Sequence, residues 1–162
     1  MKATLAIAPC FESKSVLQKL KDEKQLRVIS DATKSVCGSH GFQTLYDMPQ
    51  ELQNQIRWQI LKDHLQDLKE DSVLTELSCF TWLADWMRWG WNCISTEEWN
   101  KVMDLACDCA EQYDYVFVAK DLPYKEYDGY SWLDKKNGAQ ITDLIKFLMV
   151  HLGAEDKIVY LD

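Results

Sequence analysis

Short apolar runs alternate along the chain with longer stretches in which apolar residues recur every three or four positions. Residues 3–8 (ATLAIA) have the density of a buried strand, and residues 15–23 place Val16, Leu17 and Leu20 on one helical face. Residues 26–30 (LRVIS) form a second strand, and residues 32–36 a short helix that Gly38 and Gly41 break. Met48-Pro49 then opens a long helix over residues 49–69, with Leu52, Ile56, Ile60, Leu61, Leu65 and Leu68 at helical spacing. Residues 72–76 (SVLTE) are a third strand, followed by a Trp-rich helix over 78–89 that Gly90 terminates. Ser95-Thr96-Glu97-Glu98 supplies a cap and a first-turn acidic cluster for a helix over residues 95–112. Residues 115–119 (YVFVA) are the fourth strand, 139–152 a helix that stops at Gly153, and 157–161 (KIVYL) the fifth strand. Between them, residues 120–138, with Pro123, Gly129 and the Asn137-Gly138 pair, read as a loop or lid.

Strand and helix in repeated alternation predict a parallel sheet with helices on both faces, a three-layer α/β domain. A chain of 162 residues makes this one domain, 1–162, with no internal repeat or linker. With 47% hydrophobic residues and only 6 Gly and 3 Pro, disordered and collagenous classes are excluded. Against 18 Lys and Arg stand 26 Asp and Glu, a net charge of -8, which disfavours nucleic acid as a partner. The excess acid is uneven: residues 1–70 carry 10 basic and 9 acidic side chains, residues 71–162 carry 8 and 17. No apolar run is long enough for a membrane span and no signal-type cleavage site follows Met1, so a soluble, cytoplasmic protein is expected. In that setting the 6 cysteines read as reduced thiols.

In open α/β sheets ligands gather at the carboxyl ends of the strands, which directs attention to the first strand-to-helix turn. It reads Ala8-Pro9-Cys10-Phe11-Glu12-Ser13-Lys14-Ser15. Laid on the phosphate-binding pattern GxxxxGK[ST], Lys14 and Ser15 fall in place, between a strand and a helix. The two glycines are replaced by Ala8 and Ser13. Such a loop turns backbone N–H groups inward around an anion, so Ser13 crowds the nest and Glu12 sets a negative charge beside it.

Two further segments extend the pattern. Thr75-Glu76-Leu77-Ser78 ends the third strand, and Tyr113-Asp114-Tyr115-Val116-Phe117 opens the fourth, ahead of Asp128-Gly129-Tyr130-Ser131. In order and spacing the chain resembles, over most of its length, the small AAA-type P-loop nucleotide-kinase-like ATPases often encoded by bacteriophages, related to the nicotinamide-riboside-kinase-like group. The resemblance implies strand order 2-3-1-4-5, a host-cytoplasmic setting and ATP or another nucleotide with Mg²⁺ as ligand. It implies that Ser13, Lys14 and Ser15 bind phosphate, with Lys14 at the β/γ phosphates and Ser15 on the metal. It further implies that Glu76 serves as base or metal-side acid, and that Asp128, Lys135 and Lys136 belong to the lid. Two arginines of the family pattern are Leu77 and Ser131 here, and the chain holds only Arg27, Arg57 and Arg88. Phosphoryl transfer depends on such cations, and a lysine is a poorer clamp than a planar guanidinium. The expectation is therefore a catalytically degenerate protein that binds or interacts, retaining weak nucleotide or phosphate binding. The alternative is an active nucleotide or nucleoside kinase or NTPase with an atypical loop.

Trp82, Trp86 and Trp89 recur at i, i+4 and i+7, and Trp91 and Trp99 follow. Packed inward they are core. Facing outward beside Glu97, Glu98, Asp104, Asp108, Glu111 and Asp114, they form an interaction surface for a protein partner or a second copy. That second reading requires at least two of the five indoles to be solvent-accessible. Cys107 and Cys109 point to different sides of a helix, and Cys37 with His40 lacks a second half, so no Cys/His metal site is expected. His64 is expected on the polar side of its helix and His151 near a helix C-terminus. No GxSxG elbow or Ser/His/Asp set supports hydrolase chemistry.

Overall fold

The computed structural model describes residues 1–90, 94–125 and 135–162, the side chains of residues 135 and 136 excepted. Trp91, Cys93, Asp128 and the lid chemistry assigned to Lys135 and Lys136 lie outside the described residues. Five strands alternate with six helices: β1 (Lys2–Leu5), α1 (Lys14–Lys24), β2 (Arg27–Ile29), α2 (Thr33–Ser39), α3 (Gln50–Asp67), β3 (Val73–Thr75), α4 (Cys79–Trp89), α5 (Thr96–Gln112), β4 (Tyr115–Ala119), α6 (Lys135–His151) and β5 (Ile158–Leu161). Every strand pair is parallel and the order is β2-β3-β1-β4-β5, as the resemblance implied. Parallel crossovers are right-handed. The connection from β1 to β2 runs one way along the sheet and the later ones run the other way, so α1 covers one face and the remaining helices the other. Contacts of α4 with α3, α5 and α6 follow from that arrangement.

The central strands are dry: Ala3, Thr4, Leu5, Val73, Leu74 and Thr75 are all buried. Thr4 and Thr75 face each other across the β1–β3 ladder, where the Thr75 hydroxyl donates to the Thr4 hydroxyl at 2.7 Å. Both strands are shorter than the apolar runs that contain them. β1 ends at Leu5, although the Ala6 N–H still reaches the Phe117 carbonyl at 2.9 Å. Beyond it the Phe11 N–H closes a turn on the Ala8 carbonyl, around a proline that has no N–H to offer a ladder. β3 starts only at Val73, because Ser72 takes a left-handed backbone with φ 59°.

Helix ends match their sequence signals where those signals are caps. The Ser95 side chain accepts from the Glu98 N–H while the Glu98 carboxylate accepts from the Ser95 N–H, a reciprocal capping box. Gly153, at φ 68°, ends α6 with paired bonds from its own N–H to the Val150 carbonyl and from the Ala154 N–H to the Met149 carbonyl. Two glycines have a different reason from the expected one. Gly90 closes α4 at φ -118°, outside the left-handed region, and a Cβ there would lie 2.5 Å from Trp86 Cδ1. It is small because the Trp86 indole occupies its side-chain space. The Asn137-Gly138 pair lies inside α6, which begins at Lys135 and so extends into the expected loop of residues 120–138. A Cβ on Gly138 would sit 2.6 Å from Cys10 Sγ, so this glycine lets α6 approach the first turn.

The Trp-rich face of α4 points inward. Trp86 is fully buried and Trp82 is 7% exposed, which removes both from the expected interaction surface. Trp86 packs edge-on against Trp58 of α3, at 6.0 Å between ring centroids, and against Trp99 of α5 at 6.3 Å. The three-residue periodicity marks the seam where three helices meet, and indoles fill it because each buries a large apolar area. Trp89 and Trp99 are partly exposed, and Trp89 carries the Arg88 guanidinium over its ring at 4.3 Å. A continuous indole patch spanning Trp82, Trp86 and Trp89 does not exist on the protomer surface.

Candidate functional site

The turn between β1 and α1 rises from the carboxyl end of the central strand, the position at which parallel α/β sheets present ligand sites. Lys14 is the first residue of α1 and Ser15 the second, and both are exposed. Ser13 precedes them and is buried, at 1% exposure. It takes the cap position of α1 without a capping bond. Its hydroxyl instead donates to Glu76 Oε1 at 3.0 Å. The same carboxylate accepts the Asp31 N–H on Oε2 at 2.8 Å. Glu76 thus joins the carboxyl ends of β2 and β3 to the entrance of α1, and both of its oxygens are engaged. The Glu12 side chain turns back onto α1, where Oε1 accepts the Lys14 N–H at 2.9 Å.

Beside Glu76 lies a cleft of about 60 Å³ between α3 and the ends of β2 and β3, a volume fit for one or two waters. Asp31, Asp63, Asp67, Glu76, His64 and Trp82 line it, and among the described residues no Lys or Arg does, although Lys125 acts on Asp31 and Arg27 on Asp67 from nearby. Loss of hydration pushes the Asp31 carboxyl above its ordinary range, with Glu76 adding to the effect and hydrogen bonds from Thr33 opposing it. Asp67 is raised likewise, by loss of hydration and then by its neighbours Glu70 and Asp63. This is a negative recess, suited to repel a second anion rather than to hold one.

His64 corrects its expected place. It is buried on the core side of α3 and pairs with the Tyr113 hydroxyl, which in turn accepts the Cys79 N–H at 2.9 Å. Which of His64 Nε2 and the phenol oxygen donates depends on the imidazole tautomer, and burial lowers the His64 pKa to about 4, which keeps the ring neutral at neutral pH. The pair fixes the first turn of α4 to α3 and α5. It is structural, and it stands in the wall of the acidic cleft.

Sequence reasoning missed a second polar cluster. Arg57 is fully buried, and its Nε meets Asp85 Oδ2 at 3.0 Å. The other oxygen of Asp85 accepts the Tyr46 hydroxyl at 2.8 Å, and Arg57 Nη1 donates to Gln53 at 3.3 Å. Burial, with Asp85 beside it, pushes the Tyr46 phenol well above its usual range. The available signal was an arginine inside the apolar stripe of α3, between Ile56 and Ile60. One of the three arginines of the chain is thereby committed to packing. A second, Arg88, reaches Gln140 and Asn137 of α6, each at 3.3 Å, and the third, Arg27, pairs with Glu70 at 3.0 Å.

Among the described residues no group of three or more His, Cys, Asp or Glu side chains is arranged to hold a metal ion. Also among them, no helix is long and apolar enough to cross a membrane. No protein-family model and no curated protein matches the sequence. Similarity is found in solved structures. The NadR protein in complex with NR superposes with a TM-score of 0.71 at 9% identity, covering 99% of this chain and 43% of that one. The NadR protein in complex with NAD and AMP-PNP gives 0.69 at 8% identity, covering 99% and 44%. The chain thus spans less than half the length of these relatives. At such identities the likeness establishes a shared α/β fold and no more.

Proposed function

We propose that this chain is a catalytically degenerate P-loop nucleotide-kinase-like protein that acts by binding. The β1–α1 turn takes the phosphate end of a nucleotide weakly through Lys14 and Ser15 and does not turn it over. The observation that carries this reading is the state of Glu76. Both Glu76 oxygens already accept a bond, from Ser13 and from Asp31, which holds the carboxylate between the entrance of α1 and the end of β2 and leaves only the second lone pair of each oxygen for water or a metal. The neighbouring position that holds an arginine in the resembled family is the buried Leu77.

Of the groups a magnesium ion could use, Ser15 offers one exposed hydroxyl and Glu76 is engaged. Mg²⁺ takes a near-octahedral set of oxygens that it fills largely with water and substrate phosphates, so these side chains would hold it together with a bound nucleotide and not as a resident ion. Weak binding is supported by an exposed lysine and hydroxyl at the amino end of an eleven-residue helix, where the helix dipole favours an anion. One of the similar solved structures, of which this chain covers 44%, is in complex with NAD and AMP-PNP.

Calorimetry with ATP, with and without Mg²⁺, tests the reading. The expected affinity is roughly millimolar in either case and is lost in Lys14→Ala, with phosphate release no faster than in buffer. Roughly micromolar, Mg²⁺-dependent binding with turnover that Glu76→Gln abolishes would replace this reading with that of an active kinase or NTPase.

A further inference from the structure

The β1–α1 turn is occupied by the protein's own groups. Three of its backbone N–H groups have acceptors within the chain: Phe11 on the Ala8 carbonyl at 3.1 Å, Glu12 on the Pro123 carbonyl at 2.8 Å, and Lys14 on the Glu12 carboxylate at 2.9 Å. A phosphate cradle works by leaving such groups free and pointed at the ligand. The second of these bonds is one half of a short ladder. Phe11 and Tyr124 form an antiparallel bridge, the Lys125 N–H donates to the Cys10 carbonyl at 2.8 Å, and the two rings lie 4.9 Å apart.

The strap is placed by the turn that follows β4. The Lys120 N–H still pairs with the Leu161 carbonyl, and the next residue, Asp121, takes a left-handed backbone at φ 54°. Asp is among the few non-glycine residues that tolerate that conformation. Pro123 follows, offering a carbonyl and no competing N–H. On the other flank Gly138 lets α6 close onto Cys10. A carboxylate at the helix entrance is the chemical likeness of the anion that such an entrance attracts.

We propose that this turn is self-occluded: the Glu12 carboxylate takes the place of an external anion at the Lys14 amide, and residues 123–125 strap the turn closed around it. The proposal rests on the function proposed above and adds its regulation. Anion binding requires Glu12 to swing away and is eased when the strap is loosened.

The probe is inorganic pyrophosphate, titrated calorimetrically into wild type, Glu12→Ala, Tyr124→Ala and the double variant, each confirmed folded by circular dichroism. Exchange of the Lys14 amide is followed by NMR in the same proteins. Glu12→Ala is expected to speed Lys14 exchange and tighten pyrophosphate about tenfold, the double variant more, with Lys14→Ala cancelling the gain. Affinities of Glu12→Ala and the double variant within about twofold of wild type overturn the occlusion. If wild type binds and Lys14→Ala abolishes that binding while Glu12→Ala changes nothing, the occlusion alone falls. If no folded variant binds, both the occlusion and the proposed function fall.

Discussion

Tyr113 and His64 meet in the buried seam between α3 and α4, and burial disfavours the charged form of the imidazole there. Its pKa of about 4 in the folded protein compares with 6.5 for an ordinary histidine. The unfolded chain therefore binds the extra proton first. Above pH 6.5 both states are neutral at this residue and it adds no pH dependence. As pH falls from 6.5 towards 4 the unfolded state gains a proton that the native state refuses, and stability declines. The full loss, reached below pH 4, is about 3.5 kcal/mol, taking each unit of displacement at about 1.4 kcal/mol. Urea denaturation of wild type and His64→Gln between about pH 7 and about pH 5 should show a steeper loss in wild type, because the amide oxygen keeps an acceptor for Tyr113 without titrating. Equal slopes would mean that His64 already bears its proton in the fold. At this scale the sequence spoke through residue type at Lys14 and Ser15, whose places in a motif are local. It could not reveal the partners of Glu76, since Ser13 and Asp31 lie 63 and 45 positions away and meet it only through the sheet.

Helices α3 and α4 are joined through a charge pair rather than through apolar contact alone. Arg57 and Asp85 sit on facing stripes, one fully buried and the other nearly so, with Tyr46 on Asp85 and Gln53 on Arg57 Nη1, while Arg57 Nη2 is buried without a partner. Removing one partner leaves a charge without its counterion in a dry seam, and such losses run to about 3–5 kcal/mol. Asp85→Leu and Arg57→Met should each destabilise by about that amount, whereas Arg57→Met with Asp85→Leu should recover most of the loss, since apolar replacement of a buried pair is close to neutral. Chemical denaturation of the four proteins closes this cycle. Additive losses in the double variant would show that the two side chains do not act as a pair. The periodicity of α3 located the element and its buried face but not that face's width, because Gln53, Arg57 and His64 share it with Ile56, Ile60 and Leu61. Apolar spacing marks a buried face, and polar residues that find partners on that face leave no trace in the spacing. For the indoles of α4 the spacing left an inward and an outward face open, and the structure takes the inward one for Trp82 and Trp86, with Trp58 and Trp99 packed on Trp86, while Trp89 stays partly exposed.

For the molecule as a whole, alternation of apolar runs with helical periodicity was enough to place all five strands, and the resemblance carried their order. What escaped was where the chain leaves each strand, because backbone geometry at Ser72 and the turn at Pro9 decide that, not hydrophobicity. The sheet that results is graded. β1 pairs on both sides, with β3 and β4, and has no exposed residue within Ala3–Leu5, whereas β5 is an edge strand with one neighbour and an outer Tyr160 that is 60% exposed. β2 is the opposite edge, and its Arg27 is exposed. Opening an edge strand breaks one ladder and wets little apolar surface, while freeing β1 requires both halves of the sheet to part. Native-state hydrogen exchange should therefore separate the strands. Amides of Thr4, Leu5 and Leu74 should exchange only through global unfolding, with a free energy equal to that from denaturant. Amides of β5 that bond to β4 should exchange through openings roughly 2–4 kcal/mol cheaper, and those of β2 should behave like β5. Equal protection of β5 and β1 would mean that the sheet opens as one unit, and the grading by position would then be wrong.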